Sequence, residues 1–232
     1  MPYSRPLSPL APDPGSGLAT AAKRPRGRPR KTAGERDDGN RRQDLITAAA
    51  KLFRVRGFDA TSTRDIAAAV GMHSGSPFYH FESKGALLCA VMEEGMRSAI
   101  ARQRDALDAA LGSKPDARAL LAVLVRNHFE VLLGPGSDFI PVMLYESRSL
   151  SAAQRALILQ LKSEYEAPWV PLLQALHQQG LLKADVKLAR LLIFGALNWS
   201  VQWYDRAYDP SQGASLDALA QAAMALFIQE NA

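Results

Sequence analysis

Apolar positions recur with helical spacing from Leu45 to Phe227, and no stretch keeps the two-residue alternation of a half-buried strand. The first clear stripe joins Leu45, Ile46, Ala49, Leu52 and Phe53 on one face of a helix expected to begin after Asn40. It stops at Gly57, which can take the left-handed conformation that closes a helix, with Phe58 folding back as an apolar plug. Ser62 opens a short second helix, its hydroxyl capping the backbone while Asp65, three residues on, returns the bond. Gly71 and Met72 make a turn, His73 or Ser74 caps the next helix, and residues 76–81 fill barely two turns. Glu82 and Ser83 end it, and Ser83 caps a fourth helix that starts at Lys84 and is predicted to reach Leu111 before Gly112.

Further helices are predicted at 116–133, 138–149, 151–179, 185–204 and 215–229, with Pro168 and Pro171 interrupting the third of these. The segment 185–204 is apolar nearly all round, through Leu188, Leu191, Leu192, Ile193, Phe194, Leu197 and Trp199, and so must be covered on every side. The last segment repeats the problem with Leu216, Leu219, Ala220, Ala223, Met224 and Phe227. One small domain can hardly cover both, so a homodimer through the last two helices is expected. The fold class is all-α: a three-helix helix-turn-helix DNA-binding domain at 41–86 and a helical ligand-binding and dimerisation domain at 87–232.

A short helix, a tight turn and a second short helix are what a major groove admits, since the latter must lie in the groove with its N-terminal residues at base edges. Ser74, Gly75 and Ser76 are small enough to allow that approach. Thr63 and Arg64 start the second helix, whose free N–H groups and positive potential suit a phosphate. The run Phe53, Gly57-Phe58, Thr61, Thr63, Ile66-Ala67, Val70-Gly71, Gly75-Ser76, Phe78-Tyr79-His80-Phe81 and Ser83-Lys84 closely resembles the TetR family of one-component bacterial regulators. The resemblance covers about 50 residues and implies that Tyr79, His80 and Lys84 meet the phosphate backbone or groove edge; Arg41, Thr63, Arg64, Ser74 and Ser76 are the further DNA contacts expected from the residues themselves. Pro77 departs from the family, which more often has an aliphatic residue there. Phe53, Phe58, Phe78 and Phe81 read as core. A dimer of this kind would set its two reading helices roughly 34 to 36 Å apart on one side of a palindrome.

Charge adds a second DNA element. Residues 1–40 are rich in Pro, Gly, Ser and charge without apolar periodicity, and read as a disordered arm. Residues 1–31 carry seven basic side chains against one acid, a net of +6, while the whole chain carries +5 (28 basic, 23 acidic), so everything from Thr32 onward sums to −1. Within the arm, Arg26-Gly27-Arg28-Pro29 resembles an AT-hook. Gly27 lets the backbone lie on the groove floor, while Arg26 and Arg28 extend along a narrow, electronegative minor groove. A plain electrostatic tether is the other reading of the arm, and an architectural AT-rich DNA-binding protein driven by it is the alternative for the whole chain.

The regulatory half holds Trp169, Trp199 and Trp203, with Asn198 and Gln202 as a second pair one helical turn apart. The Asn198-Trp199…Trp203-Tyr204 ending resembles a subset of TetR-type regulators associated with fatty-acyl or steroid-derived coenzyme A thioesters, which implies a small apolar or acyl-coenzyme A-type effector and repression relieved by it. These residues, with Phe129, Phe139, Met143 and Leu173 as apolar lining, form the expected ligand site; core packing is the competing role for each tryptophan.

Catalysis is not indicated. His73, His80, His128 and His177 lack metal-ligand spacing, and there is neither a phosphate-binding glycine loop nor a nucleophile elbow, so no enzyme, metal or cofactor is expected. His128 and His177 read as packed or surface residues. The single cysteine, Cys89, falls in an apolar run as a reduced thiol, and no apolar leader or spanning segment stands out, which matches a cytoplasmic protein.

Overall fold

A computed structural model of the chain describes residues 33–73, 77–112, 114–182, 184–204 and 215–229, and all regular structure among them is helical. Side chains are described from Asn40 onward, save Phe78. The helices are α1 (Ala33–Arg56), α2 (Thr63–Ala69), α3 (Pro77–His80), α4 (Lys84–Leu111), α5 (Ala117–Leu133), α6 (Phe139–Glu146), α7 (Ala152–Glu166), α8 (Trp169–Gln178), α9 (Val186–Trp203) and α10 (Leu216–Phe227). The first helix starts at Ala33, ahead of the expected start after Asn40.

Local chemistry shapes the N-terminal unit. Gly57 adopts φ +81 and donates to Phe53 O at 2.9 Å, ending α1, and the buried Thr61 hydroxyl donates to Gly57 O at 2.8 Å. The Ser62–Asp65 capping box opens α2 as the sequence predicts. At the other end, Gly71 at φ +67 lets Met72 N–H reach Ala67 O at 2.9 Å, the reverse turn that stops a helix in the left-handed region. Between Gly71 and Pro77, residues 74–76 lie outside the described residues. α3 is a single turn, shorter than the pattern suggests, and Pro77 sits at its first position, where a missing N–H costs nothing.

α4 is the spine. It packs against α1 on one side and α5, α6 and α7 on the others, so its buried residues Leu88, Val91, Met92 and Met96 join one apolar core running from Leu45 and Phe53 to Leu124, Leu132, Trp169 and Leu173. At Gly95 the backbones of α4 and α6 approach so closely that a Cβ would stand 2.6 Å from that of Phe139. α10 lies along α5 and α9.

The segment predicted as one helix over 151–179 is two. Pro168 has no N–H to offer the turn before it, so α7 ends at Glu166 and α8 begins at Trp169, whereas Pro171 falls within the first turn of α8 and is tolerated there. The break is stitched by Gln103 of α4, only 2% exposed: its amide donates to Tyr165 O at 2.9 Å and accepts from Trp169 Nε1 at 2.8 Å.

The helix expected to be covered on every side is covered on one. Ile193, Phe194 and Leu197 of α9 are buried, but Leu188, Leu191, Leu192, Trp199 and Trp203 remain more than half exposed in the single chain, as does Leu226 on α10.

Candidate functional site

In the N-terminal unit the turn projects Tyr79, 91% exposed and borne on α3, away from the protein beside the half-buried His80. Arg64 is exposed and Thr63 half-buried at the start of α2, and Arg41 is exposed on α1. Lys84 behaves differently. Its ammonium donates to Phe58 O at 2.8 Å and Thr61 O at 3.0 Å and lies 4.2 Å from the Phe58 ring centroid. Two of its three N–H donors thus hold the α1–α2 loop against α4, leaving one for a phosphate. Arg42, which sequence reasoning passed over, stands 5.0 Å above the Phe81 ring and pins the end of α3 to α1. Of the remaining expected DNA contacts, Arg26, Gly27, Arg28, Ser74 and Ser76 lie outside the described residues.

The regulatory half contains a narrow, mostly apolar cleft between α4, α5, α6, α7 and α9. Met96, Ala99, Val131, Ile140, Met143, Leu144 and Phe194 supply the apolar wall, and His128, Tyr165, Asn198, Lys162 and Glu166 the polar groups. Of the residues expected to bind a ligand, the structure brings Met143 and Asn198 to this cleft. Phe139 lines a neighbouring groove against Gly95. Phe129, Trp169 and Leu173 are buried in the core behind it, the Trp169 N–H being committed to Gln103. Trp199 and Trp203 point away from it on the open face of α9, because residues one turn apart on a helix share a face and that face is opposite Phe194 and Leu197. Gln202 is exposed, its amide donating to the Tyr145 hydroxyl at 2.5 Å.

His128, Glu166 and Phe194 were missed as site residues. His128 does fall on the apolar face of α5 with Leu121, Leu124 and Leu132, which is the available signal, but its partners are 37 and 70 positions away. His128 Nδ1 is 2.9 Å from the Tyr165 hydroxyl and Nε2 is 3.1 Å from Asn198 Oδ1. Trp169 and Phe194 meet the imidazole edge-on at 5.9 and 5.3 Å. Burial outweighs the Asn198 hydrogen bond and pulls His128 down to about 4, so the ring is neutral at physiological pH; burial likewise pushes the Tyr165 hydroxyl upward. At the rim, the largely buried Glu166 carboxylate is neutralised by Arg190 and by Lys162 at 3.8 Å.

One wall of the cleft reaches the DNA-reading unit. α6 contributes Ile140, Met143 and Leu144 to the cleft. At its N-terminal end Asp138 pairs with Arg54 of α1 at 2.8 Å, and at its C-terminal end Glu146 accepts the Phe58 N–H at 2.9 Å. Among the described residues no group of His, Cys, Asp or Glu could hold a metal ion, and no helix is long and apolar enough to cross a membrane.

A helix-turn-helix unit tied to an apolar cleft, with an uncovered apolar face on the last helices, defines a ligand-responsive DNA-binding regulator that works as a dimer. Comparison with known proteins agrees. Residues 45–91 match the bacterial regulatory proteins of the tetR family, and residues 114–228 match the tetracyclin repressor-like C-terminal domain. The HTH-type transcriptional repressor KstR2 of Rhodococcus jostii (strain RHA1) is 30% identical over 184 residues, covering 78% of this chain and 86% of that protein. The ketosteroid transcriptional regulator KstR2 of Mycobacterium tuberculosis superposes with a TM-score of 0.67 at 26% identity, over 82% of this chain and 96% of that one. The superantigen PfiT superposes with the same TM-score at 35% identity, over 82% and 97%. The chain belongs to the TetR family: it is a ligand-responsive, DNA-binding transcriptional repressor that acts as a dimer, and not an enzyme.

Proposed function

We propose that this repressor holds a palindromic operator and is released when a small apolar or acyl-coenzyme A-type ligand enters the cleft bounded by α4, α5, α6, α7 and α9. The observation that carries this reading is α6, which walls the cleft and is tied at both ends to the DNA-reading unit through Arg54–Asp138 and Phe58–Glu146. A ligand that fits better when α6 is displaced changes the set of α1 and hence the spacing of the two reading helices. It acts only through its unequal affinity for the two arrangements. Similarity to a ketosteroid regulator supports a largely apolar ligand.

On the DNA side, Tyr79 and His80 are assigned to the groove edge, Arg41, Thr63, Arg64 and the remaining Lys84 proton to phosphates, and Ser74 and Ser76 to the close approach. The Arg26-Gly27-Arg28 arm adds minor-groove contact and salt-dependent affinity in the nucleoid-bound, cytoplasmic protein. Selection of sheared genomic DNA by the purified full chain, followed by sequencing, tests the reading. Recovery of one or a few palindromes supports it. Retention of only diffuse AT-rich DNA overturns it in favour of an architectural role for the arm. In the same assay, Glu146→Ala together with Arg54→Ala is expected to keep operator binding while blunting release by a ligand that frees the parent protein.

A further inference from the structure

The cleft contains a directed proton chain whose inner end decides what its outer end offers a ligand. The buried Tyr165 hydroxyl has one hydrogen-bond partner among the described residues, His128 Nδ1. A buried O–H without an acceptor is costly, so Tyr165 donates and Nδ1 is the unprotonated nitrogen. With one ring proton in the neutral imidazole, that proton must lie on Nε2, which donates to Asn198 Oδ1 at 3.1 Å. The opposite amide orientation would place two donors face to face. The Asn198 carboxamide is thereby locked with its oxygen inward. Its NH2 group, for which no acceptor stands among the described residues, is on the side of the amide turned from His128, in a cleft whose walls are mostly apolar.

We propose that Asn198 is the specificity-determining polar residue of the cleft, selecting ligands that set a carbonyl-type hydrogen-bond acceptor within an apolar body. The selection is one-sided, because the amide nitrogen only donates, while the Tyr165–His128 relay stops the amide from turning over to accept. An apolar ligand without an acceptor leaves this donor stripped of water and unpaired. The inference rests on the cleft being the effector site.

Two probes of nearly one shape separate the possibilities: heptan-2-one and 2-methylhept-1-ene, which differ by an oxygen against a methylene on the same carbon. Binding of each to the full-length, 15N-labelled dimer is followed by backbone amide shifts of the residues that line the cleft, in the parent and in Asn198→Asp, which keeps an acceptor toward His128 but removes the outward donor. The ratio of ketone to alkene affinity is expected to fall roughly three- to tenfold in N198D, the contribution of one hydrogen bond. An unchanged ratio with both probes bound overturns the role of Asn198 and leaves the cleft as the ligand site; failure of both probes to bind overturns the cleft reading and this inference with it. Independently of any ligand or variant, long-range 15N–1H correlation in the parent protein is expected to show His128 protonated at Nε2. A proton on Nδ1 would reverse the chain and refute the proposal.

Discussion

The DNA-reading unit and the regulatory cleft are built from contacts of opposite reach. In the former, apart from Lys84 reaching Phe58 and Thr61, the polar bonds that shape the backbone close over a few residues: Ser62 with Asp65, Thr61 with Gly57, Met72 with Ala67. In the latter they span the chain: His128 with Tyr165 and Asn198, Gln103 with Tyr165 and Trp169, Glu146 with Phe58. The first kind tolerates a change of partner domain, which suits a module that must present one surface to one kind of ligand. The second kind joins helices remote in sequence, so occupancy of the cleft is felt wherever those helices end.

Four changes press on that contrast. The largest effect is expected where the fold is completed by a second copy. Leu192→Glu places a charge on the open face of α9, and burial of an unpaired carboxylate against a partner costs several kcal/mol. Sedimentation should show monomers, with operator affinity down roughly a thousandfold; a variant that stays dimeric would move the interface elsewhere.

Next is the acid response of the long-range network. His128 is held at about 4 in the folded chain against an ordinary 6.5, so the folded protein declines a proton that the unfolded chain accepts. Its contribution is constant above pH 6.5. It is lost as pH falls from 6.5 toward 4, by roughly 3 kcal/mol in all. Denaturant melts at pH 7 and pH 4.5 should show a steeper loss in the parent than in His128→Gln; equal losses would place the titration in other groups.

Gln103→Leu strips the Trp169 N–H and the Tyr165 carbonyl of their partner at the α7–α8 break and should cost roughly 2 kcal/mol, read from the denaturation midpoint. The smallest effect belongs to the local kind of contact. Ser62→Ala removes the cap of α2 and should cost about 1 kcal/mol. Hydrogen exchange should then rise in α2 while the cleft stays protected. Spread of that exchange into α5 and α9 would erase the distinction drawn between the two regions.

The same difference in reach explains what could be read in advance. The bounds of α2, α4, α5 and α10 follow from caps at Ser62, Ser83, Asp116 and Ser215, each bonding a backbone N–H three residues on, so the pattern and the structure agree there. The start of α1 and the break at Pro168 were less legible. A proline permits more than one outcome, and the surrounding packing selects among them.

The tryptophans show where sequence reasoning ran out. Aromatic residues with neighbouring amides look alike whether they line a cleft, fill a core or await a partner. Here Trp169 fills the core, Trp199 and Trp203 occupy the uncovered face, and Asn198, next to Trp199, turns inward. A helix pattern states which residues share a face but not which neighbour that face meets.

By itself, then, the order of residues determined the helical class, the caps and turns of the reading unit, and the need of the last two helices for more cover than one chain supplies, because each depends on bonds and periodicities within a few turns. Only the tertiary structure decided which residues surround the cleft, which tautomer His128 holds and how α6 reaches the DNA-reading unit. Those depend on side chains tens of positions apart being brought within 3 Å or so, a matter of packing that no local pattern records.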